Sequence, residues 1–158
     1  MKNCSIIVSV YNEEASLENF FEACSSVLNT CRVGSKKDSS CEKIVEKYHT
    51  EIIFVNDGST DRSPLILDRL ALEYPELVKV IHFSRNFGHE AAMTAGLDYA
   101  SGDFLIFMDA DLQHSPELIP EMLERYEAGF HVVSMVRTKN SSAGILKNLS
   151  SSAFYWVL

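Results

Sequence analysis

The sequence predicts an α/β fold, a mostly parallel sheet covered by helices on both faces, and three observations carry that reading. Short apolar or β-branched runs alternate with longer stretches of helical spacing. Polar clusters follow the first four of these runs, where open parallel sheets collect their ligands. The chain has 158 residues, 46% of them hydrophobic and 23% charged, enough for one domain with a core and too few for two ordinary ones.

Taken in order, Ser5-Ile-Ile-Val-Ser-Val10 is the first strand, and 14–29 reads as a helix. The segment Thr30–Lys47, with Gly34-Ser-Lys-Lys-Asp-Ser-Ser40 at its centre, is the one irregular connection and reads as a surface loop. Residues 51–56 form the second strand and 62–73 the second helix, opened by Ser63-Pro64 with Ser63 as the expected N-cap. A third strand at 78–83 precedes a helix at 88–100, and a fourth strand at 103–108 precedes a helix at 116–128. In that last helix Leu118, Ile119, Met122, Leu123 and Tyr126 mark a buried face, Ser115 is the expected N-cap, and Gly129 ends it. Residues 131–136 are the fifth strand expected.

The formal net charge of −8, with no basic stripe, argues against nucleic acid as a partner. Four cysteines occur without a Cys-x-x-Cys pair or a His cluster, which excludes the usual zinc patterns; Cys4 and Cys24 read as small buried apolar residues. No signal peptide and no run of about 20 apolar residues is visible, so the expected location is cytoplasmic. The apolar end Ala153–Leu158 stops without a terminator and reads as the interior of an element in a longer protein.

The strand ends hold the chemistry. They read Tyr11-Asn12-Glu13-Glu14, Asn56-Asp57-Gly58-Ser59-Thr60-Asp61, Ser84-Arg85-Asn86-Phe87-Gly88-His89-Glu90 and Asp109-Ala110-Asp111-Leu112-Gln113. Any one of them has a bland explanation as a cap or an Asx turn. Four on one rim form the expected lining of a nucleotide site. Asp109, Asp111 and Gln113 offer only hard oxygen ligands, which suit Mg²⁺ or Mn²⁺ and leave positions open for phosphate oxygens.

With these motifs in that order, the chain resembles family 2 inverting glycosyltransferases of the GT-A fold, and within them the polyprenyl-phosphate (dolichol- or undecaprenyl-phosphate) sugar transferases. The resemblance runs from Ser5 to Arg137. It implies a three-layer α/β/α sandwich of Rossmann-like type. It also implies transfer of a sugar, with inversion, from a UDP-glucose-like or GDP-mannose-like donor to a lipid-linked phosphate.

By the same resemblance Tyr11 and Glu13 match contacts to the base and ribose, and Val55 and Asp57 match a second base-binding edge. Asp109 and Ala110 match positions near the ribose and first phosphate, and Asp109, Asp111 and Gln113 match metal ligands. Asn12 and Arg85 belong to the same nucleotide-sugar rim. Asp111 and Arg137 are the expected catalytic residues, Arg137 matching a basic residue near the donor or acceptor phosphates.

Two departures stand out: Ser9 replaces the family's usual Pro before the first motif, and His114-Ser115-Pro116-Glu117 replaces Asp-Pro-Pro-Glu. The expected organisation is a nucleotide-sugar-binding domain at 1–137 and the start of an acceptor or interfacial region at 138–158, which would meet a membrane surface. The full-length protein is then expected at the cytoplasmic face of a membrane. Alternatives are a donor-binding fragment without transfer activity, a family 2 enzyme acting on a saccharide acceptor, and a nucleotidyltransferase. The last would place a Gly-rich basic loop after the first strand, unlike Val10-Tyr-Asn-Glu-Glu14.

Overall fold

The computed structural model describes residues 2–33, 44–45, 47–112 and 115–135, without the side chains of 29–33. Four strands form one sheet: β1 (Lys2–Val10), β2 (Tyr48–Asn56), β3 (Val78–His82) and β4 (Phe104–Asp109). Helices α1 (Leu17–Val33), α2 (Ser63–Glu73) and α3 (His89–Tyr99) connect them; a 3₁₀ turn at Pro116–Leu118 then leads into α4 (Ile119–Glu127).

All pairings are parallel and the strand order is β3-β2-β1-β4. Val10 lies opposite Asn56, which lies opposite His82, while Ser9 lies opposite Asp109. The strand ends thus form one rim. After β3 the chain crosses back to the far side of β1, so the order reverses between β1 and β4, where such sheets open a crevice.

Both faces of the central strands are buried, which is why they read as continuous apolar runs rather than alternating ones. Ile6, Val8, Val10, Ile52, Phe54, Ile106 and Met108 share a core with residues of α1, α2 and α4. Ile53 and Val55 face the opposite way, packed with Ala92 of α3. The result is the expected three-layer sandwich. Cys4 and Cys24 are fully buried, and burial pushes both thiols up to about 12, so they act as apolar fillers.

Several boundaries differ from the sequence reading. α1 extends to Val33, and Ile44 and Val45 are helical and buried in the core, so the 30–47 connection is partly structural; residues 34–43 and 46 lie outside the described residues. Ser63 does not cap α2: Arg62 holds the cap position without a side-chain bond, and Ser63 is buried inside the first turn. Ser115 does stand at a cap, but its side chain makes no capping bond. Gly129 stops α4 as expected, with φ of 96° and Phe130 N–H returning to the Arg125 carbonyl at 3.1 Å.

The fifth strand is not formed over 131–135. Those residues line a cavity of about 420 Å³ along the outer edge of β4, together with Phe104–Met108, but without a ladder. Val132 is 84% exposed. A β-branched pair makes a strand only where it packs and pairs, and Val132-Val133 does neither as a ladder.

Candidate active site at the strand ends

The loops after β1 and β2 are locked into one piece by reciprocal bonds. Asn12 N–H donates to Ser59 Oγ at 3.0 Å, and Thr60 N–H returns a bond to Asn12 Oδ1 at 2.8 Å. Asn12 takes a left-handed φ of 56°, which Asn adopts more readily than most residues. Glu14 N–H donates to Asp61 Oδ2 at 3.0 Å, and Arg62 N–H donates to Glu14 Oε2 at 2.9 Å. Buried Ser63 accepts from Glu13 N–H at 2.9 Å, which explains a hydroxyl inside the turn. Burial opposes ionisation of Asp61, yet the bonds from Ser63 and Glu14 hold its carboxyl below the ordinary value. In this structure Asn12, Glu14 and Asp61 build the rim.

Asp57 builds it too. It is 2% exposed, and its two oxygens accept from Phe87 N–H at 2.7 Å and Gly88 N–H at 2.9 Å. Gly58, with φ of 67°, lies directly beneath the same loop: a Cβ there would sit 2.3 Å from the Arg85 carbonyl carbon. No side chain fits. Phe87 packs edge-on against Phe83 at 5.4 Å between ring centroids, and the Arg85 guanidinium lies 4.2 Å from the Phe87 ring centre. The turn after β2 and the loop after β3 therefore set each other's position. Arg85 lies against the Phe87 ring and is not among the residues lining the cleft between β1 and β4. Val55 is 0% exposed beneath α3, so its side chain has no surface to offer a base.

Between β1 and β4 the rim opens into a cleft of about 260 Å³ lined by Ser9, Tyr11, Glu13, Asp57, Asn86, Gly88, His89, Asp109, Ala110 and Asp111. Tyr11, Glu13, Asp57, Asp109, Ala110 and Asp111 are thus brought together as the sequence suggested. Asp109 ends β4 with its side chain 42% exposed, Ala110 is buried as the anchor of the turn, and Asp111 is exposed. Glu13 accepts from Ser16 Oγ at 2.5 Å, which fixes its carboxylate at the cleft edge. Gln113 and Arg137 lie outside the described residues. Ser9, Asn86 and His89 line the cleft although no role was read for them. Asn86 and His89 both belong to the polar cluster read after the third strand, and Ser9 stands where the family pattern has Pro.

Among the described residues no group of three or more His, Cys, Asp or Glu side chains could hold a metal by itself. Asp109 and Asp111 supply two carboxylates on one turn. That suits a cation such as Mg²⁺ or Mn²⁺, which takes one or two carboxylates and completes its shell with substrate phosphates and water. The donor set fits.

The model of the family described as glycosyl transferase family 2 matches residues 5–157. The chain belongs to glycosyl transferase family 2. Among relatives of this family 2 chain, the uncharacterised glycosyltransferase YkcC of Bacillus subtilis is 43% identical over 154 residues, 98% of this chain and 43% of its own length. The bactoprenol glucosyl transferase of Shigella phage SfV is 38% identical over 151 residues, 96% of this chain and 44% of its own length. The family 2 chain therefore spans less than half the length of these relatives.

Its fold is that of GT-A glycosyltransferases. The mannosyltransferase PcManGT from Pyrobaculum calidifontis, solved with GDP-Man and Mn²⁺, superposes with a TM-score of 0.54 at 22% identity, over 74% of this chain and 30% of its own. In this family 2 chain no helix among the described residues is long and apolar enough to cross a membrane.

Proposed function

We propose that the cleft between β1 and β4 binds a nucleotide diphosphate sugar together with Mg²⁺ or Mn²⁺, and that the whole protein transfers the sugar, with inversion, to a polyprenyl phosphate. The observation that carries this is the position of Asp109 and Asp111. Asp109 ends β4 at the switch point, Asp111 follows in the turn, and both line one cleft with Tyr11 and Glu13. An acidic cleft in a chain of net charge −8 repels a bare diphosphate, so an anionic donor there requires a cation, and the Asp109–Asp111 turn is where one fits. Bound there, the ion would supply Lewis-acid neutralisation of the nucleotide diphosphate leaving group.

The chain's own residues do the rest. Tyr11 and Glu13 bound the nucleoside end, and Asp57 holds the Phe87–Gly88 amides in place beside it. Buried Ala110 fixes the direction of the two flanking carboxylates. Arg137 supplies a further positive charge near the phosphates in the whole protein, by its match to the family. The acceptor assignment is supported by the bactoprenol glucosyl transferase among the relatives. A polyprenyl phosphate oxygen is already ionised near neutral pH, so no strong general base is needed. Glucose is the sugar favoured by the same relative, and the site is expected at the cytoplasmic face of a membrane.

The test is a thermal-shift panel of UDP-glucose, UDP-N-acetylglucosamine and GDP-mannose with and without Mn²⁺, since a ligand specific to the native state raises the melting temperature. The expected result is a metal-dependent rise with one donor, lost in Asp111→Asn, while the ligand-free melting temperature stays within about 2 °C of wild type, as for a surface substitution. A full metal-dependent rise in Asp111→Asn would overturn the metal assignment.

A further inference from the structure

We infer that His89 is a ligand for the donor's phosphates, reading the diphosphate and not the nucleoside. The inference rests on the donor reading above and extends it to a residue with no assigned role. His89 is the first residue of α3 and lines the same cleft as Tyr11, Glu13 and the Asp109–Asp111 turn. Its side chain is 53% exposed, and Nδ1 lies 3.9 Å from Asp109 Oδ1, beyond hydrogen-bond reach. The imidazole therefore stands beside Asp109 without being consumed by it. A cation on Asp109 must share its shell with phosphate oxygens, so a ring at that distance from the carboxylate borders the diphosphate.

Charge narrows the reading. The ionisable carboxyls lining the cleft are Glu13, Asp57, Asp109 and Asp111, and among the described lining residues His89 alone can carry positive charge. It need not be protonated to act, since the neutral ring donates one N–H to a phosphate oxygen.

Position supports the role as well as chemistry. The loop that delivers His89 is held by both oxygens of buried Asp57, by the close approach of Gly58, and by the Phe83–Phe87 ring contact. Three independent restraints on the residues before His89 are more than a helix start requires. They are what a group needs to meet a substrate without reorganising.

The experiment compares binding of UDP with UMP, and of GDP with GMP, to the full chain in Mn²⁺ by calorimetric titration. Wild type should bind the diphosphate of one base more tightly than its monophosphate. In His89→Ala the diphosphate should weaken about tenfold while the monophosphate stays within about twofold, the order expected for loss of one hydrogen bond to a charged group. His89→Asn, which keeps an N–H donor, should recover part of the loss. Monophosphate binding doubles as the control for folding. Equal weakening of both nucleotides, or no weakening of either, would overturn the inference while leaving the donor reading in place. Failure of wild type to bind any nucleoside diphosphate would overturn the donor reading and this inference with it.

Discussion

Towards the N-terminal ends of the strands, the Glu51 side chain is 8% exposed and accepts from Ser5 Oγ at 2.6 Å and from Ser101 N–H and Oγ, both at 2.9 Å; Lys79 Nζ lies 2.5 Å from its other oxygen. At the C-terminal ends, the Asp109 side chain is 42% exposed and faces His89 across a cleft without a hydrogen bond between them. Burial pushes the Glu51 carboxyl up, but Lys79, Ser5 and Ser101 outweigh it and hold the group at about 2. The two ends use one chemical group for opposite purposes. A carboxylate saturated from every side ties the α3–β4 connection to the sheet, and Gly102 N–H adds to the tie by donating to Ser5 Oγ at 2.9 Å. The partly exposed Asp109 carboxylate borders the cleft in which the proposed donor and cation would sit. On the proposed reading, stability and function are separated along the strand axis.

The strongest way to break that separation is Glu51→Ala. It takes the acceptor from buried Ser5 and from Ser101 N–H, at roughly 1–3 kcal/mol for an unsatisfied buried group, while Lys79, 55% exposed, returns to water. At roughly 2–4 °C per kcal/mol for a chain of this size, the melting temperature should fall by about 6 °C. Donor binding in the cold should persist, because nothing in the cleft has changed. Calorimetric melting paired with the donor panel checks both halves, and a loss of binding without loss of stability would contradict the division.

Acid should expose the same clamp more gently. The folded Glu51 carboxyl titrates at about 2 against an ordinary 4.5, a depressed value. Its contribution is therefore complete above about 4.5 and lost as pH falls from there through about 2; a shift of this size corresponds to about 3 kcal/mol at most. Melting temperature should decline across that window in wild type and decline less in Glu51→Gln. Identical slopes would mean the clamp does not carry the acid sensitivity.

What was legible in the chain follows the same division. The centres of β1 and β2, Ile6–Val8 and Ile52–Val55, announced themselves because both faces are covered. The start of β2, Tyr48-His-Thr-Glu51, reads as polar, and its burial depends on partners distant in sequence: Tyr48 O–H donates to Glu127 at 2.6 Å, and Glu51 meets Ser101. No local rule finds those pairs. Val132-Val133 shows the reverse, a β-type dipeptide that the fold leaves without a ladder. At the rim, Asp57 sat in what reads as an Asx turn. The local bond does exist, but it is Asn56 Oδ1 that accepts from Ser59 N–H at 3.0 Å, while Asp57 reaches the loop after the next strand. Motif spacing located the cleft; the division of labour among its residues is tertiary.

Asp57 belongs to both regions, and Asp57→Asn is the finest cut. It is buried like Glu51 yet lines the cleft like Asp109. Asn keeps the shape and one acceptor, but its amide NH₂ then confronts either Phe87 N–H or Gly88 N–H, donor against donor. One buried N–H loses its partner, at a cost of about 1–3 kcal/mol. If Asp57 serves the fold alone, melting should drop by a few degrees and donor affinity should be unchanged once measured well below the transition. If it also sets the loop that brings His89 to Asp109, affinity for the nucleoside diphosphate should fall further than that for the monophosphate, in the same sense as His89→Ala but less. We expect the second pattern, because the two amides that Asp57 holds are those immediately before His89.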